Sequence, residues 1–410
     1  MSDKNLNPRP TGGLTRSILL VAAVCLVFAV MQGVHDNYGI MLNSLVDRTG
    51  LDYAAVSFII GVGALLYGVA QPFMGMLALR KSNAFVMLLG MGLTAAGLIL
   101  TPLCRSFAAL LLCFGILLPV GTTGIGYAIL MSAITPLIGE RRASMVSGIV
   151  QASAGVGDSL MAPLMERMIA GRGIQFTLNR LSLPFILMIP IALWIGFMTR
   201  RDQPVAQAAA EVDGKESLFQ ILKDAFSDRD YICVLIGFST CGFNMSIIES
   251  HLFSQYLSYG IPGDIASLTL TVYGVMTMLG AVLTGFLGTR FKMKNVLGSV
   301  YALRVGISLC FLLLPKTAPF AFVMTALLGM TGDSTVPPTS GTISRKFGAR
   351  KLAVLYGFAL VGHQIGAFAS ASLGGVFVRE GLGYAPLWIV NLILAAIAAT
   401  ASYAIREERA

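Results

Sequence analysis

Residues 75–80 read Gly-Met-Leu-Ala-Leu-Arg, and a similar stretch at 285–290 reads Gly-Phe-Leu-Gly-Thr-Arg, 210 positions later. A second pair of matching stretches, 134–142 and 343–351, repeats at an offset of 209. Nearly equal offsets at two separate places indicate an internal duplication of about half the chain. Each copy of the first motif ends a long apolar run, so the runs around the motifs decide the fold.

These apolar runs are long enough to cross a membrane. The chain has 410 residues, of which 56% are hydrophobic and only 12% are charged, whereas soluble domains are about 25% charged. A membrane-spanning helix needs about 20 mostly apolar residues, and helices satisfy their own backbone groups in lipid. We therefore predict an all-α integral membrane protein with twelve spans, at 17–43, 53–78, 84–104, 107–135, 143–169, 181–199, 231–257, 264–289, 294–314, 318–344, 351–378 and 384–405.

A polar stretch at 200–230 divides the predicted spans six and six. The predicted domains are an N-terminal half at 1–199, a linker at 200–230 and a C-terminal half at 231–410. Apolar positions between 218 and 226 follow a helical period, which favours a short amphipathic helix on the membrane surface; a plain tether is the alternative.

The loops carry the basic residues of the chain unevenly. If both termini lie on one face, the loops of that face hold 21 Lys and Arg residues and the opposite loops hold seven. The positive-inside rule then places both termini in the cytoplasm. The net charge of +9 is thus explained by membrane orientation, and no basic patch interleaved with aromatic residues indicates nucleic-acid binding.

The residue patterns of an enzyme are missing from the sequence. We find no metal-binding triad, no nucleophile with a base and no phosphate-binding loop, and the six cysteines show no metal-ligand spacing. The sequence therefore predicts no catalytic residues, no metal and no cofactor. A membrane sensor without transport is the alternative from another class, but such a protein would need a soluble output domain.

Ionisable side chains inside the predicted spans are candidates for function, because a charge at membrane depth costs several kcal/mol. Four acids lie away from the span ends, at Asp36, Asp158, Glu249 and Asp333. Counted from the span midpoints, Asp158, Asp333 and His363 lie near the midplane. Asp36 and Glu249 lie toward the face opposite the termini.

The predicted proton-coupling residues are Asp158, Asp333 and His363, since buried carboxyl groups and imidazoles exchange protons readily. Polar neighbours on the same helix faces extend the predicted substrate site. It comprises Asp36, Gln151, Asn244, Glu249, Asp333, His363 and Gln364. A structural role is the alternative for each of these residues. For Arg304, which lies inside the ninth span, we expect snorkelling or a structural ion pair.

With twelve spans, a six-plus-six division and a parallel repeat, the chain resembles the major facilitator superfamily over essentially its whole length. The family's loop signature reads roughly Gly-x-Leu-Ala-Asp-Arg, and this chain has Leu79 where the Asp would stand. The resemblance implies alternating access between two halves, with the two loop motifs as a conformational latch. The latch residues would be Gly75, Arg80, Gly285 and Arg290.

A looser likeness to the monocarboxylate and oxalate–formate branch rests on Gly-Val-His-Asp-Asn-Tyr-Gly at 33–39 and Gln-Pro-Phe-Met-Gly at 71–75. The predicted function is a proton-coupled carrier of a small metabolite, and the residues leave the charge of that metabolite open: a protonated His363 would attract an anion, and the four acids would attract a cation. The likeness alone puts an organic acid carried by a symporter slightly ahead. A drug/proton antiporter is the alternative, although the Gly-Pro signature of that group is absent from span 5. We expect a monomer in the bacterial inner membrane, with the substrate, H⁺ and lipid as its only partners.

Overall fold

The computed structural model describes residues 14–138, 140–199 and 218–407, and these residues are almost entirely helical. Ten runs within them are long and apolar enough to cross a membrane. One of the ten, Met145–Met198, contains two crossings. The remaining crossing is an interrupted pair of helices, Ala318–Thr331 and Val336–Phe347. The described residues therefore trace the twelve predicted crossings, which we number α1–α12.

The first six crossings run from Leu14 to Thr199. The segments of α1 are Leu14–His35 and Tyr38–Thr49, α2 is Tyr53–Arg80 and α3 is Asn83–Leu100, which a 3-10 turn extends to Leu103. The segments of α4 are Phe107–Leu110, Leu111–Leu117, Leu118–Thr123 and Tyr127–Ile138. Together α5 and α6 occupy Glu140–Leu187 and Ile189–Thr199, with the chain reversing at Gly173, where φ is 77°.

The second six crossings follow a short linker helix, Leu218–Ser227. The segments of α7 are Arg229–Ser246, Ile247–Leu252 and Phe253–Ser258, α8 is Gly263–Arg290 and α9 is Met293–Leu313. The segments of α10 are Ala318–Thr331, Asp333–Thr335 and Val336–Phe347, α11 is Ala349–Arg379 and α12 is Ala385–Tyr403.

The connection between α5 and α6 differs from the sequence prediction. Residues 170–180 are predicted as a polar loop between two spans, but the structure continues both helices up to Gly173. Only that residue has non-helical backbone angles inside Glu140–Leu187, and its positive φ is one that glycine adopts without strain. A single glycine therefore makes the reversal, and the polar side chains around it are helical.

The interruptions of the crossings repeat in the two halves. The chain leaves the helix in α1 at 36–37 and in α4 at 124–126. In the second half, α7 widens to a π-helical turn at Ile247–Leu252, and α10 breaks at 332–335. The offsets between matching interruptions are close to the 209 and 210 of the sequence repeat. The duplicated sequence therefore forms two duplicated six-helix bundles.

Glycines bring α5 against α1, and α11 against α7, at backbone distance. A Cβ placed on Gly157 would lie 1.9 Å from the carbonyl oxygen of Ala29. A Cβ placed on Gly242 would lie 1.8 Å from the carbonyl oxygen of His363. Small residues of this kind permit close helix packing in lipid, where the hydrophobic effect does not hold helices together.

The linker helix packs against the second half of the molecule. Its Ile221 and Ala225 are buried, and its Phe226 ring lies 5.7 Å from the Tyr231 ring of α7. The prediction that this helix lies on the membrane surface stays a prediction, and residues 200–217 of the predicted linker lie outside the described residues.

The start of α7 is fixed beside the linker helix by Asp228. This carboxylate accepts hydrogen bonds from the Asp230 and Tyr231 backbone N–H groups at 2.8 and 3.2 Å, and it pairs with the Lys346 ammonium of α10 at 2.9 Å. Partial burial alone would raise the pKa of Asp228, but the Lys346 contact and the two backbone donors lower it overall.

Replacing Gly157 with Ala tests the close approach of α1 and α5. We expect Gly157→Ala to lower the stability of the protein by about 1–3 kcal/mol, because overpacking forces backbones apart. The matched control is Gly148→Ala on the same helix, where an added Cβ meets nothing within 4 Å among the described atoms. Thermal unfolding in detergent measures both variants. Equal unfolding temperatures for the two would contradict the packing.

Candidate functional site

Four carboxyl groups from four different crossings converge between the two bundles. Asp36 lies at the break in α1, Asp158 on α5, Glu249 in the π-helical turn of α7 and Asp333 at the break in α10. Each is close enough to others of the set to interact electrostatically, and Asp158 interacts with all three. We call these four residues the acid cluster.

Asp36 is the most extensively hydrogen-bonded member of the acid cluster. Both oxygens of its carboxylate accept a hydrogen bond from Gln32 Nε2, at 2.7 and 2.8 Å. The Asp36 Oδ1 atom also lies 2.9 Å from His35 Nδ1. Asp158 adjoins Asp36 and is only 7% exposed, yet its Oδ1 has no hydrogen-bond partner among the described residues. A buried polar atom without a partner is costly, so this oxygen is available to a proton or a ligand.

Tyrosines surround the acid cluster, although none of them is in the predicted substrate site. The Tyr67 ring lies 4.3 Å from the His35 ring, and the Tyr38 ring lies 5.2 Å from it. Tyr273 of α8 interacts electrostatically with all four acids. The hydroxyls of Tyr38 and Tyr273 are buried and have no hydrogen-bond partner among the described side chains.

A cavity of about 10 Å³ adjoins Glu249 at the contact between the bundles, a space of roughly one water molecule. Both bundles contribute to its wall: His35, Tyr38, Ile60 and Ala64 from the first, Ser246, Glu249 and Ser250 from the second.

The other predicted site residues divide into two groups. His363 lies near Asp333, its ring 5.0 Å from Phe238, and its Nδ1 has no partner among the described atoms. Gln364 packs against Gly68, so it joins the two bundles. Asn244 is 1% exposed, and neither atom of its amide is hydrogen-bonded within the described structure. Gln151 is exposed on α5 and lies seven residues, about 10 Å of helix, from Asp158.

Arg304 of α9 does not snorkel, contrary to one of the two expectations for it. Its side chain is 1% exposed, and Nη2 donates to the carbonyl oxygens of Thr331 and Gly332, the latter at 3.1 Å. The same nitrogen contacts Cys241 Sγ at 3.3 Å. The break in α10 frees these carbonyls from the helix, and the arginine satisfies them. This contact places a cation directly behind Asp333.

The bundles are joined on the face opposite the chain ends, which we call the far face; the face with the chain ends is the terminal face. Tyr53 of α2 bonds through its hydroxyl to His251 Nδ1 and to the Tyr384 hydroxyl, both at 3.1 Å. His251 Nε2 lies 3.0 Å from the carbonyl oxygen of Ala371, to which it donates. These bonds tie α2 of the first bundle to α7 and α12 of the second.

The contact between the bundles stops before the terminal face. The contacts between α2 and α11 are Ser57 with Gly375, Gly61 with Phe368 and Gly68 with Gln364. The two residue numbers of each pair add to about 430, so the register of the two helices is constant. The same register places Gly75 opposite Gly357, yet a Cβ on either residue meets nothing within 4 Å among the described atoms. On α5 and α8, contact likewise runs from the Ser159–Thr271 hydrogen bonds to Gly155 and Gly274.

The bundles are thus closed at the far face and separated at the terminal face. The predicted latch residues follow this pattern: Arg80 and Arg290 are exposed, and the Arg290 guanidinium lies over the Phe286 ring of its own helix at 4.7 Å. Their role as a latch stays a prediction.

Two engineered cysteine pairs test this arrangement in a variant without the six native cysteines. Gly375→Cys with Ser57→Cys should cross-link in the conformation described here, because a Cβ at 375 would lie 2.6 Å from that of Ser57. Gly75→Cys with Gly357→Cys should cross-link only after the bundles rock together at the terminal face. In the fourfold variant we expect either disulfide but not both in one molecule, as read by peptide mapping. Molecules holding both disulfides would contradict the rocking motion.

A fold of two six-helix bundles around a buried polar site defines a class of membrane transporters. The family model for the Major Facilitator Superfamily matches residues 20–317 and 253–410. The chain belongs to this family, and it is a membrane transporter, not an enzyme.

Individual relatives are distant. The Uncharacterized MFS-type transporter YcxA of Bacillus subtilis (strain 168) is 22% identical over 391 residues, which cover 91% of each chain. Monocarboxylate transporter 12 of Homo sapiens is 24% identical over 291 residues, which are 64% of this chain and 55% of that protein.

Solved structures share the fold at low identity. The bacterial homologue of the human lysosomal transporter Spinster, in an inward-facing and unoccupied conformation, aligns with a TM-score of 0.72 and 16% identity, covering 96% of this chain and 97% of that one. The D-xylose-proton symporter aligns with a TM-score of 0.68 and 14% identity, covering 96% and 98%.

Proposed function

We propose that the protein is a proton-coupled secondary transporter of a small molecule, which works by alternating access with the acid cluster as its coupling site. The observation that carries this proposal is the position of the acid cluster. It lies where the contact between the bundles ends, so rocking of the bundles would expose it first to one face and then to the other.

The chemistry of the acid cluster supports proton coupling. Four carboxylates in one largely buried site repel one another, and this repulsion favours the binding of protons or of a positive counterion. Access to water on one face at a time would let the cluster gain a proton on one side and lose it on the other. A neutral or occupied site is also cheaper to enclose between the bundles than a charged one.

Neutral variants of two central acids test the coupling. A compound selected by thermal shift from metabolites, carboxylates, cations and drugs serves as the substrate in proteoliposomes. We expect Asp158→Asn and Asp333→Asn to abolish accumulation driven by an imposed pH gradient while substrate exchange continues, because exchange needs no net proton movement.

The control for both variants is Asp47→Asn, which changes an exposed acid on α1 near the far face. Full pH-driven accumulation by both neutral variants would refute the coupling role. Binding without movement of the compound in the parent protein would favour the sensor alternative.

We also propose that the terminal face is cytoplasmic, on the strength of the 21 to seven distribution of Lys and Arg. An impermeant maleimide should then label Lys215→Cys only in inverted membrane vesicles and Asp47→Cys only in intact cells, in a background without native cysteines. The opposite pattern would reverse the orientation.

An organic acid carried with a proton is the second candidate for the substrate, since Monocarboxylate transporter 12 is among the relatives. A carboxylate substrate needs a cationic partner. At the depth of the acid cluster, His363 is the described residue that could take that role, because His35 is engaged by Asp36 and Arg304 by backbone carbonyls.

A further inference from the structure

We infer that the acid cluster binds a small organic cation, and that this cation and protons compete for the same carboxyl groups. The inference rests on the proposed function and gives it a substrate class. It follows from three features: the charge of the site, the unpartnered buried groups around it and the aromatic rings that border it.

The charge of the site is negative, and the bases around it are few, namely His35, Arg304 and His363. His35 contacts the Asp36 carboxylate at 2.9 Å. Arg304 is 1% exposed and directs its Nη2 at backbone carbonyls and Cys241. His363 faces Asp333 and Arg304, and a positive charge on its ring would have the arginine beside it. A positive charge for Asp158 and Glu249 must therefore come from a proton or from the ligand.

Unpartnered buried groups give independent support for a ligand. The Tyr273 hydroxyl is without a partner among the described residues, its side chain is more than nine-tenths buried and it interacts with all four acids. Asp158 Oδ1 and the Tyr38 hydroxyl also have no partner among the described residues, and both side chains are more than nine-tenths buried. A structure rarely leaves several such atoms unpaired in one place unless water or a ligand satisfies them.

The aromatic residues of the site suit an organic cation better than a bare metal ion. Tyr38, Tyr67 and Tyr273 all interact with acids of the cluster, so their rings border the same space. Tyrosine faces attract ammonium groups within about 6 Å of the ring centroid, and desolvation strengthens that attraction. Within the described residues, no group of His, Cys, Asp and Glu has the arrangement of a metal site.

A carboxylate substrate would meet the reverse conditions. It would have to approach four like charges, and the one arginine at this depth is bonded behind Asp333 and is not open to the site. Like-charge contact in a buried site costs several kcal/mol. The site therefore discriminates against anions before any contact with the rest of the ligand is made.

Competition with protons follows from the same charges. When a cation binds, a proton on the cluster carboxyls is released to water, and when the cation leaves, a proton can return. The titratable and charged groups that face the cluster are those of α1, α2, α7, α8, α9 and α11, namely His35, Tyr38, Tyr67, Cys241, Tyr273, Arg304, Tyr356 and His363. Of the bases among them, His35 is engaged by Asp36 and Arg304 by backbone carbonyls, and His363, whose Nδ1 has no partner among the described atoms, lies beside the positive charge of Arg304.

Three probes of one shape and different charge test the inference. Choline is a permanent cation, 3,3-dimethylbutan-1-ol has the same shape without charge, and 3,3-dimethylbutanoate is an anion of similar shape. Binding to the purified full-length protein in detergent is measured by calorimetry and thermal shift between pH 5.5 and pH 8.5. A weakly buffered solution with a pH dye reports proton release, and choline has no ammonium proton of its own to release.

We expect choline alone to bind, with an affinity that rises up to about tenfold per pH unit as the acid cluster loses protons. Choline should release protons from the protein at neutral pH. Glu249→Gln and Asp158→Asn should flatten the pH dependence and reduce proton release, whereas Asp47→Asn should behave as the parent.

The other outcomes overturn the inference. Tighter binding of 3,3-dimethylbutanoate as the pH falls would refute the cation and leave the proposed function intact. Equal binding of the neutral alcohol, or no binding of choline at any pH, would also refute it. If choline binds as expected but an imposed pH gradient moves no choline into proteoliposomes, the cation site stands and the proposed function fails.

Discussion

The architecture depends on one constraint: in lipid, every backbone N–H and C=O group must find a partner inside the protein. Helices meet this constraint by themselves, so an interruption is tolerated only where other protein groups surround it. The breaks in α1, α4 and α10 and the π-helical turn in α7 all lie inside the assembly. Three of the four acids, Asp36, Glu249 and Asp333, occur at these interruptions. Each of these three interruptions thus frees backbone groups from regular helical hydrogen bonds and places a carboxyl group beside them.

Arg304 shows how the constraint links distant parts of the chain. Its guanidinium on α9 satisfies the carbonyls of Thr331 and Gly332 that the α10 break releases. Without the arginine, these carbonyls would be buried without a partner beside Asp333. The cost of a charge at membrane depth is therefore offset by the backbone groups that it satisfies. Its position in the sequence suggested snorkelling or a structural ion pair, and the structure shows that Arg304 supports the backbone beside Asp333.

Sequence analysis recovered the number of crossings, the duplication and the family, because these depend on long apolar runs and on a repeat that needs no structural detail. It also identified the four acids of the cluster by depth alone. It missed the break in α1, where no proline lies near Asp36 to mark it. It placed Gln151 with the site, but a residue on the same helix face two turns away is at a different depth.

The tyrosines were left out of the predicted substrate site for a related reason. Tyr67 and Tyr273 lie on apolar helices, where an aromatic residue usually packs in a core, and the sequence holds no signal that their hydroxyls face acids of other crossings. The same limit applies to Arg304, whose partners lie 27 and 28 residues away. Contacts between crossings depend on how the bundles pack, and helical periodicity reports only the face of one helix.

The way in which the far face is closed bears on how readily the protein changes conformation. The bonds of Tyr53, His251 and Tyr384 join neutral polar groups, and the Ser159 and Thr271 contacts join hydroxyls to backbone carbonyls. Each such bond contributes only about 1 kcal/mol, because water can replace it when the face opens. A ligand shifts an equilibrium by its difference in affinity for the two states, so a closure made of modest bonds lies within reach of the binding energy of a small molecule. Exchangeable hydrogen bonds at the far face, rather than a fixed apolar seam, therefore suit a site that must open and close in each cycle.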